Sequence, residues 1–154
     1  MIEYLRQSEN TKPVVVDTSV WIASTRRPRS AVADELRLLI ERDEVATTDV
    51  IIAEVLQGAK TEEDFAEWSD TLEALHFFPG SQETWRTAAH ISFELRTQGL
   101  ITPLADLVIA SVALENGLAV YAIDEHFSRV QGLRLHTPRN YSVRNQPPDS
   151  GAKA

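Results

Sequence analysis

The chain has 154 residues, of which 43% are hydrophobic and 25% charged, a composition typical of one globular domain that buries its own core. Its net charge of −8 and pI near 5.0 argue against a broad basic surface for nucleic acid. The absence of cysteine excludes disulfides, thiolate metal sites and a cysteine nucleophile. No apolar run approaches the ~18 residues of a membrane span, and a signal peptide is not evident, so we expect a cytoplasmic protein with no membrane partner.

The first half of the chain alternates short apolar runs with amphipathic stretches. Residues 13–17 form a continuous apolar run, which predicts a strand buried on both faces of a parallel sheet. A helix capped by Ser30 follows, then a weak strand over residues 44–47. Thr48 is the expected cap of the next helix, and a polar amphipathic helix is predicted over residues 62–75.

The second half continues this alternation. A short strand at residues 76–78 precedes a long helix, and Thr102 and Pro103 have the pattern of a cap followed by a first-turn proline. Further strands are predicted at residues 119–123 and 134–136. Alternating strands and helices indicate an α/β domain with a mainly parallel, five-stranded sheet flanked by helices.

The composition changes towards the end of the chain. We assign residues 1–139 to the domain and expect a loose tail over residues 140–154, where Asn, Gln, Pro, Ser and Gly dominate. Arginines form two groups that are candidates for phosphate contacts: Arg26, Arg27 and Arg29 after the first strand, and Arg129, Arg134, Arg139 and Arg144 near the end. Solvated surface arginines are the more common interpretation of any one of them.

Four acidic residues lie in apolar surroundings: Asp17, Glu54, Asp106 and Asp124. A carboxylate among apolar side chains is costly unless something compensates its charge. Asp17 and Asp124 both end predicted strands, and ligands in α/β folds bind beyond the carboxyl ends of the strands. If the fold brings all four acids together, repulsion raises the cost, and a divalent cation is the natural compensation.

Each of the four acids also has an ordinary structural interpretation. Asp17 and Asp124 are positioned to cap the segments that follow them, and Glu54 is long enough to reach an arginine or solvent. Asp106 lies near a helix start, where the dipole contributes roughly 0.3–1 kcal/mol. That contribution does not offset burial in a helix that is apolar nearly all round, so burial favours a functional role for Asp106 and, less strongly, Glu54.

Taken together, four motifs carry a resemblance that no single acid does. Residues 15–22, 53–58, 104–110 and 123–127 resemble the motifs of PIN-domain nucleases, and most of all those of VapC-type toxins of bacterial toxin–antitoxin pairs. The similarity runs from about residue 14 to residue 138. It implies a three-layer PIN-like fold, Mg²⁺- or Mn²⁺-dependent endoribonuclease activity on RNA, and neutralisation by a cognate VapB-type antitoxin.

The resemblance also implies roles for individual residues. Asp17, Glu54, Asp106 and Asp124 correspond to the family's catalytic acids, with Asp17 and Asp106 as primary metal ligands, Asp124 as a ligand or its support, and Glu54 positioning water or bridging metals. Such proteins form homodimers, and we expect the helices that carry Trp68, Leu72 and Trp85 to contribute contacts.

The last motif departs from the family pattern. A hydroxyl residue two positions before the final Asp and another Asp two positions after it are frequent, whereas this chain has Ala122 and His126. The missing oxygen ligand should weaken a second metal position most, leaving a site built on Asp17 and Asp106. We expect Ser19 to orient Asp17. His126 is a candidate contact for phosphate or metal, although a lone histidine is more often structural.

The chemistry of these residues suits phosphodiester hydrolysis. Magnesium prefers oxygen ligands, and a bound divalent cation both activates water and relieves charge on phosphate oxygens. Two other magnesium-binding folds fit less well. A response-regulator receiver domain needs an acidic pair near its first strand and a late lysine, but Lys occurs only at positions 12, 60 and 153. A dehalogenase-like phosphatase needs Asp-x-Asp where this chain has Asp17-Thr18-Ser19. The non-enzymatic alternative is a degenerate PIN module that binds a protein partner.

Overall fold

The structure, a computed structural model, describes residues 11–138, so the tail expected over residues 140–154 lies outside the described residues. The strands are β1 (Val14–Val16), β2 (Val45–Thr47), β3 (His76–Phe77) and β4 (Val120–Tyr121). The helices are α1 (Thr18–Arg26), α2 (Ala31–Glu41), α3 (Asp49–Gln57), α4 (Glu62–Glu73), α5 (Gln82–Thr97) and α6 (Leu104–Asn116). A 3₁₀ helix, Glu125–Arg129, follows β4. The predicted α/β alternation is confirmed.

The strands form one parallel sheet in the order β3-β2-β1-β4. Strand β1 is central because its three valines are buried and suit a position between two neighbours. Val15 pairs with Ala46 of β2 on one side and with Val120 of β4 on the other. Parallel pairing requires crossover connections, which the helices provide. The carboxyl ends of β1 and β4 therefore meet at the same edge of the sheet.

The prediction of a fifth strand at residues 134–136 is wrong, since the sheet formed by the described residues has four strands. The segment contributes one parallel bridge, between Val120 and Leu135. Val120 N donates to Arg134 O at 2.9 Å, and His136 N donates to Val120 O at 2.8 Å. The neighbouring strand β4 is only two residues long, and Pro138 has no N–H to extend the ladder. Pairing therefore stops after one residue.

Helix α6 lies in the core. Its residues 107–113 are all buried, as expected of a helix that is apolar all round. The hydroxyl of Ser111 is satisfied because it donates to Leu107 O at 2.7 Å. Gly117 ends the helix in the left-handed conformation, with φ of 62°. Within residues 11–138, neither α6 nor any other helix is long and apolar enough to cross a membrane.

The start of α6 differs from the prediction by one residue. Pro103, with an extended conformation, occupies the cap position, and the helix begins at Leu104. Thr102 does not cap it. Its hydroxyl instead accepts a hydrogen bond from Arg129 Nη1 at 3.3 Å, and the same nitrogen donates to Ile101 O at 3.1 Å. Arg129 thereby ties the 3₁₀ helix after β4 to the entry of α6.

Candidate active site

Asp17 lies where β1 ends and α1 begins. Its backbone N donates to Tyr121 O at 2.8 Å, which extends the β1–β4 pairing by one residue. Its buried carboxylate accepts hydrogen bonds from Ser19 N at 3.1 Å and from Ser19 Oγ at 2.6 Å. Ser19 Oγ in turn accepts from Ile123 N at 3.2 Å. Asp17 therefore caps α1, and Ser19 holds both its carboxylate and the segment that leads to Asp124.

Asp106 is in the first turn of α6, and its side chain is 14% exposed. His126 Nδ1 lies 2.9 Å from Asp106 Oδ2. Asp106, Asp124 and His126 each offer one ligand atom, and these three atoms lie within 4.8 Å of one another. Asp124 is exposed and precedes the 3₁₀ helix without a side-chain capping bond. Its carboxylate is thus not used for the capping role that its position suggested.

Glu54 reaches the same edge of the sheet from α3. Its half-buried carboxylate accepts a long hydrogen bond, 3.5 Å, from Thr18 Oγ1. The sequence did not single out Thr18, and its position directly after Asp17 is the only signal that would have indicated this contact. The arginine partner of the ordinary interpretation is absent, since no ion pair of Glu54 forms within residues 11–138.

Electrostatic interactions link these carboxylates into one group, the acidic cluster of Asp17, Glu54, Asp106 and Asp124. Burial is the largest cause that raises the pKa of Asp17, and the charge of Asp106 raises it further, while hydrogen bonds from Ser19 oppose the rise. The pKa of Glu54 is raised by burial and then by the charges of Asp17 and Asp106. Burial raises the pKa of Asp106, His126 lowers it, and Asp124 raises it. Asp106 therefore interacts with each of the other three acids.

The acidic cluster has the donor set of a site for a hard divalent cation. Among residues 11–138, no lysine or arginine forms an ion pair with any of its carboxylates. Carboxylate oxygens are the ligands that Mg²⁺ and Mn²⁺ prefer, and a cluster of carboxylates with one neighbouring imidazole favours a cation. The residues present therefore fit a bound metal ion.

The set of closest donors differs from the one expected from sequence. The resemblance implied Asp17, Asp106 and Asp124, whereas the compact group contains His126 in place of Asp17. One oxygen of Asp17 already accepts two hydrogen bonds from Ser19. His126 lies at the position where related proteins often have an aspartate, and the structure brings it to Asp106 rather than leaving it on a remote surface.

Comparison with known proteins agrees with this architecture. The family model for the PIN domain matches residues 14–133, a range that includes all four motifs. Ribonuclease VapC18 of Mycobacterium tuberculosis is 31% identical to this chain over 122 residues, which cover 77% of this chain and 87% of that protein.

Solved structures show the same fold. DNA-bound VapBC from Salmonella typhimurium has a chain that is 20% identical, with a TM-score of 0.68, and the match covers 81% of this chain and 97% of that one. VapBC2 from Rickettsia felis, bound to a DNA fragment from its promoter, has a TM-score of 0.67 at 23% identity, covering 80% and 96%. The family model and the identity to VapC18 show that the chain belongs to the PIN-domain family, within its VapC group.

Proposed function

We propose that this protein is a Mg²⁺- or Mn²⁺-dependent endoribonuclease and the toxin of a toxin–antitoxin pair. The observation that carries the proposal is the acidic cluster itself, in which Asp106 interacts with each of the other three carboxylates and no lysine or arginine among residues 11–138 pairs with any of the four. A relative of this chain is named as a ribonuclease, and this supports RNA as the substrate. The degenerate-module alternative leaves the burial cost of the Glu54 and Asp106 carboxylates without a function.

We assign Asp106, Asp124 and Asp17 to hold the cation, with His126 beside them. A divalent cation at this position supplies activation of water and charge relief on the non-bridging phosphate oxygens. Ser19 keeps the Asp17 carboxylate in one orientation, and His126 does the same for Asp106 through its 2.9 Å hydrogen bond. These contacts fix the orientation of the carboxylate oxygens before substrate binds. Less ordering of the site is then needed during the reaction, which lowers its barrier.

Glu54 is the residue we assign to proton transfer. It is half-buried, it has no ion-pair partner within residues 11–138, and its pKa is raised by burial and by Asp17 and Asp106. A carboxylate with a raised pKa is a better general base near neutral pH than an ordinary one. The oxygen of the attacking water bonds to phosphorus while Glu54 accepts a proton from that water. The bond from phosphorus to the leaving ribose oxygen breaks, and this oxygen takes a proton from solvent and leaves as a hydroxyl.

The partners follow from the same assignment. Solved relatives are described as VapBC complexes, and we propose that a VapB-type antitoxin binds this chain and covers the acidic cluster. An arginine from such a partner matches the cluster well, since it binds carboxylates bidentately. We also propose that the chain acts as a homodimer. Its cytoplasmic location stays a prediction.

The test is cleavage of single-stranded RNA by the purified full chain. We expect cleavage with Mg²⁺ or Mn²⁺ and none with EDTA. Asp106→Asn should remove cleavage while the circular dichroism spectrum stays unchanged. Full activity in EDTA, or in the Asp106→Asn protein, contradicts the mechanism. A folded wild-type protein that binds neither metal nor RNA supports the non-catalytic alternative.

A further inference from the structure

A side cavity of about 280 Å³ adjoins the acidic cluster. Its lining includes Trp21, Ile22, Arg26, Glu54, Lys60 and Trp68, so Glu54 belongs both to this side cavity and to the cluster. Ligand pockets usually start at about 300 Å³. At about 280 Å³ the side cavity lies just below this size, so it has room for a group no larger than about one nucleotide, and a group bound there lies next to Glu54.

Two cations of the side cavity have no protein partner in the described part of the chain. Arg26 ends α1, Lys60 follows α3, and neither side chain makes a hydrogen bond or ion pair with any residue among 11–138. On the adjoining surface, by contrast, Arg37 pairs with Asp34 at 3.0 Å. Arg26 also complements the dipole at the end of α1, but Lys60 lies outside a helix and has no such role. In a chain with a net charge of −8, these cations are available for an external anion.

The apolar part of the lining matches the same ligand. Ile22 is exposed, and Trp68 is half-buried and stands edge-on to Trp21, with ring centroids 6.1 Å apart. Basic side chains next to aromatic and apolar surface are characteristic of sites for single-stranded nucleic acid, where cations contact phosphates and rings contact bases.

We propose that the side cavity binds the nucleotide of single-stranded RNA adjacent to the scissile phosphate. Arg26 and Lys60 contact the phosphate of this nucleotide, while Ile22 and Trp68 contact its base. This inference rests on the proposed ribonuclease function and extends it, because it identifies residues that position the substrate and take no part in proton transfer. It also explains how an acidic protein binds RNA, with local cations replacing a broad basic surface.

The test compares two paired substitutions that remove the same charge. Arg26→Ala with Lys60→Ala empties the side cavity of cations. The control, Arg42→Ala with Arg86→Ala, removes two exposed arginines elsewhere. Arg42 directly follows α2 and precedes β2, at the sheet edge opposite the acidic cluster. Arg86 is near the start of α5, whose Thr84 contacts Glu115 at the far end of α6.

Both pairs are placed in the Asp106→Asn background with Mg²⁺, and binding of a short labelled single-stranded RNA is measured by fluorescence anisotropy at several salt concentrations. The slope of log K against log salt should fall by roughly 0.7 for each phosphate that the variant no longer neutralises, and Kd should rise by about tenfold at low salt. The control pair should change both quantities less. In the active background, the cavity pair should raise KM more than it lowers kcat.

Equal effects of the two double substitutions on RNA binding overturn the proposal. Unchanged RNA binding by the Arg26→Ala, Lys60→Ala protein also overturns it, and would indicate that the side cavity binds a protein segment instead. The binding assay does not depend on cleavage. If the wild type never cuts RNA but the cavity pair still weakens RNA binding, the proposed function fails and the binding site remains. Thermal unfolding of every variant shows that each is folded.

Discussion

Two regions of this protein contain buried acidic side chains, and they differ in how the negative charge is compensated. Glu35 of α2 is only 1% exposed and has a dedicated partner, since His136 Nε2 lies 2.8 Å from its Oε1. The acidic cluster at the carboxyl edge contains four carboxylates and one neighbouring imidazole, that of His126. The first arrangement joins two segments of the fold. The second concentrates four carboxylates with which no lysine or arginine among residues 11–138 forms an ion pair.

Tyr121 shows that the Glu35 region is structural. Its ring packs edge-on against His136 with centroids 5.3 Å apart, and burial, followed by the charge of Glu35, raises the pKa of Tyr121 to about 12. The Tyr121 hydroxyl and Glu35 Oε2 are both buried without hydrogen-bond partners in the part of the chain that the structure describes. The group links α2, β4 and the segment at residues 134–136. Burial of an acid is therefore a weaker sign of function than clustering of acids at strand ends.

The largest expected difference between the two regions is in catalysis. Glu54→Gln should lower kcat on single-stranded RNA by about 10²–10⁴-fold, the usual contribution of a positioned acid–base group. Asp17→Asn should also lower kcat, because the cation loses one of its assigned ligands. Glu35→Gln should leave kcat nearly unchanged, because Glu35 pairs with His136 and not with the cluster. Initial rates with Mg²⁺ measure both. A folded Glu35→Gln protein that is as inactive as Asp17→Asn would contradict the distinction between a structural Glu35 region and a catalytic acidic cluster.

The second expected difference is in stability. His136→Ala leaves Glu35 buried without its partner, and removal of one member of a buried pair costs about 3–5 kcal/mol. His126→Ala should cost less, since the side chains of His126 and Asp106 are 33% and 14% exposed, whereas those of His136 and Glu35 are 14% and 1% exposed. Urea denaturation of the two variants gives both free energies of unfolding, and the two are compared if the free energy falls with urea concentration at the same slope. Equal losses would show that the two histidines have the same role.

Neither group of acids is expected to control assembly. Of the residues predicted to contact a partner subunit, Leu72 is buried within the chain and is unavailable, whereas Trp85 is exposed. Phe93 and Ile101 are 66% and 77% exposed and are better candidates. Phe93→Ser should weaken the homodimer by roughly tenfold, about 1.4 kcal/mol. Sedimentation should detect this change, while Glu35→Gln and Asp106→Asn leave the dimer intact. A wild-type protein that sediments as a monomer at a concentration on the order of tens of micromolar contradicts the homodimer.

The smallest expected effect is a gain in stability when the acidic cluster loses one charge. In EDTA, Asp106→Asn should raise Tm by roughly 2–4 °C, the shift that about 1 kcal/mol produces. The raised pKa of Asp17, Glu54 and Asp106 means that the native state binds protons more tightly than the unfolded chain. The cluster therefore costs most at neutral pH and least in acid, where the carboxyls are protonated.

Differential scanning fluorimetry at neutral and mildly acidic pH tests this. The advantage of Asp106→Asn over the wild type should shrink as the pH falls. Added Mg²⁺ should raise the Tm of the wild type more than that of the variant, because only binding to the native state stabilises it. A matched substitution, Glu35→Gln, should lower Tm in EDTA and leave the Mg²⁺ response unchanged. A lower Tm for Asp106→Asn in EDTA would show that repulsion does not dominate the cluster.

Much of the geometry of the candidate site could be predicted because its determinants are local. The apolar run of β1 ends in Asp17, and this boundary depends on neighbouring residues alone. The burial of Asp106 follows from the apolar composition of α6 within one segment. Parallel strands also place Asp17 and Asp124 at one edge by topology. These features, with the four-motif resemblance, were enough to predict the fold class and to name the acids.

Only the tertiary structure decided which side chains pair with one another. His126 contacts Asp106, which lies 20 positions earlier in the sequence, and His136 contacts Glu35, which lies 101 positions earlier. Neither the hydrophobic periodicity of the sequence nor a short spacing between residues indicates such contacts. Thr102 has the local sequence pattern of a helix cap, yet its hydroxyl accepts a hydrogen bond from Arg129 instead. The strand predicted at residues 134–136 shrinks to a bridge because its neighbour β4 is short. Propensity acts within a segment, whereas hydrogen bonds and charge pairs are assigned by packing between segments.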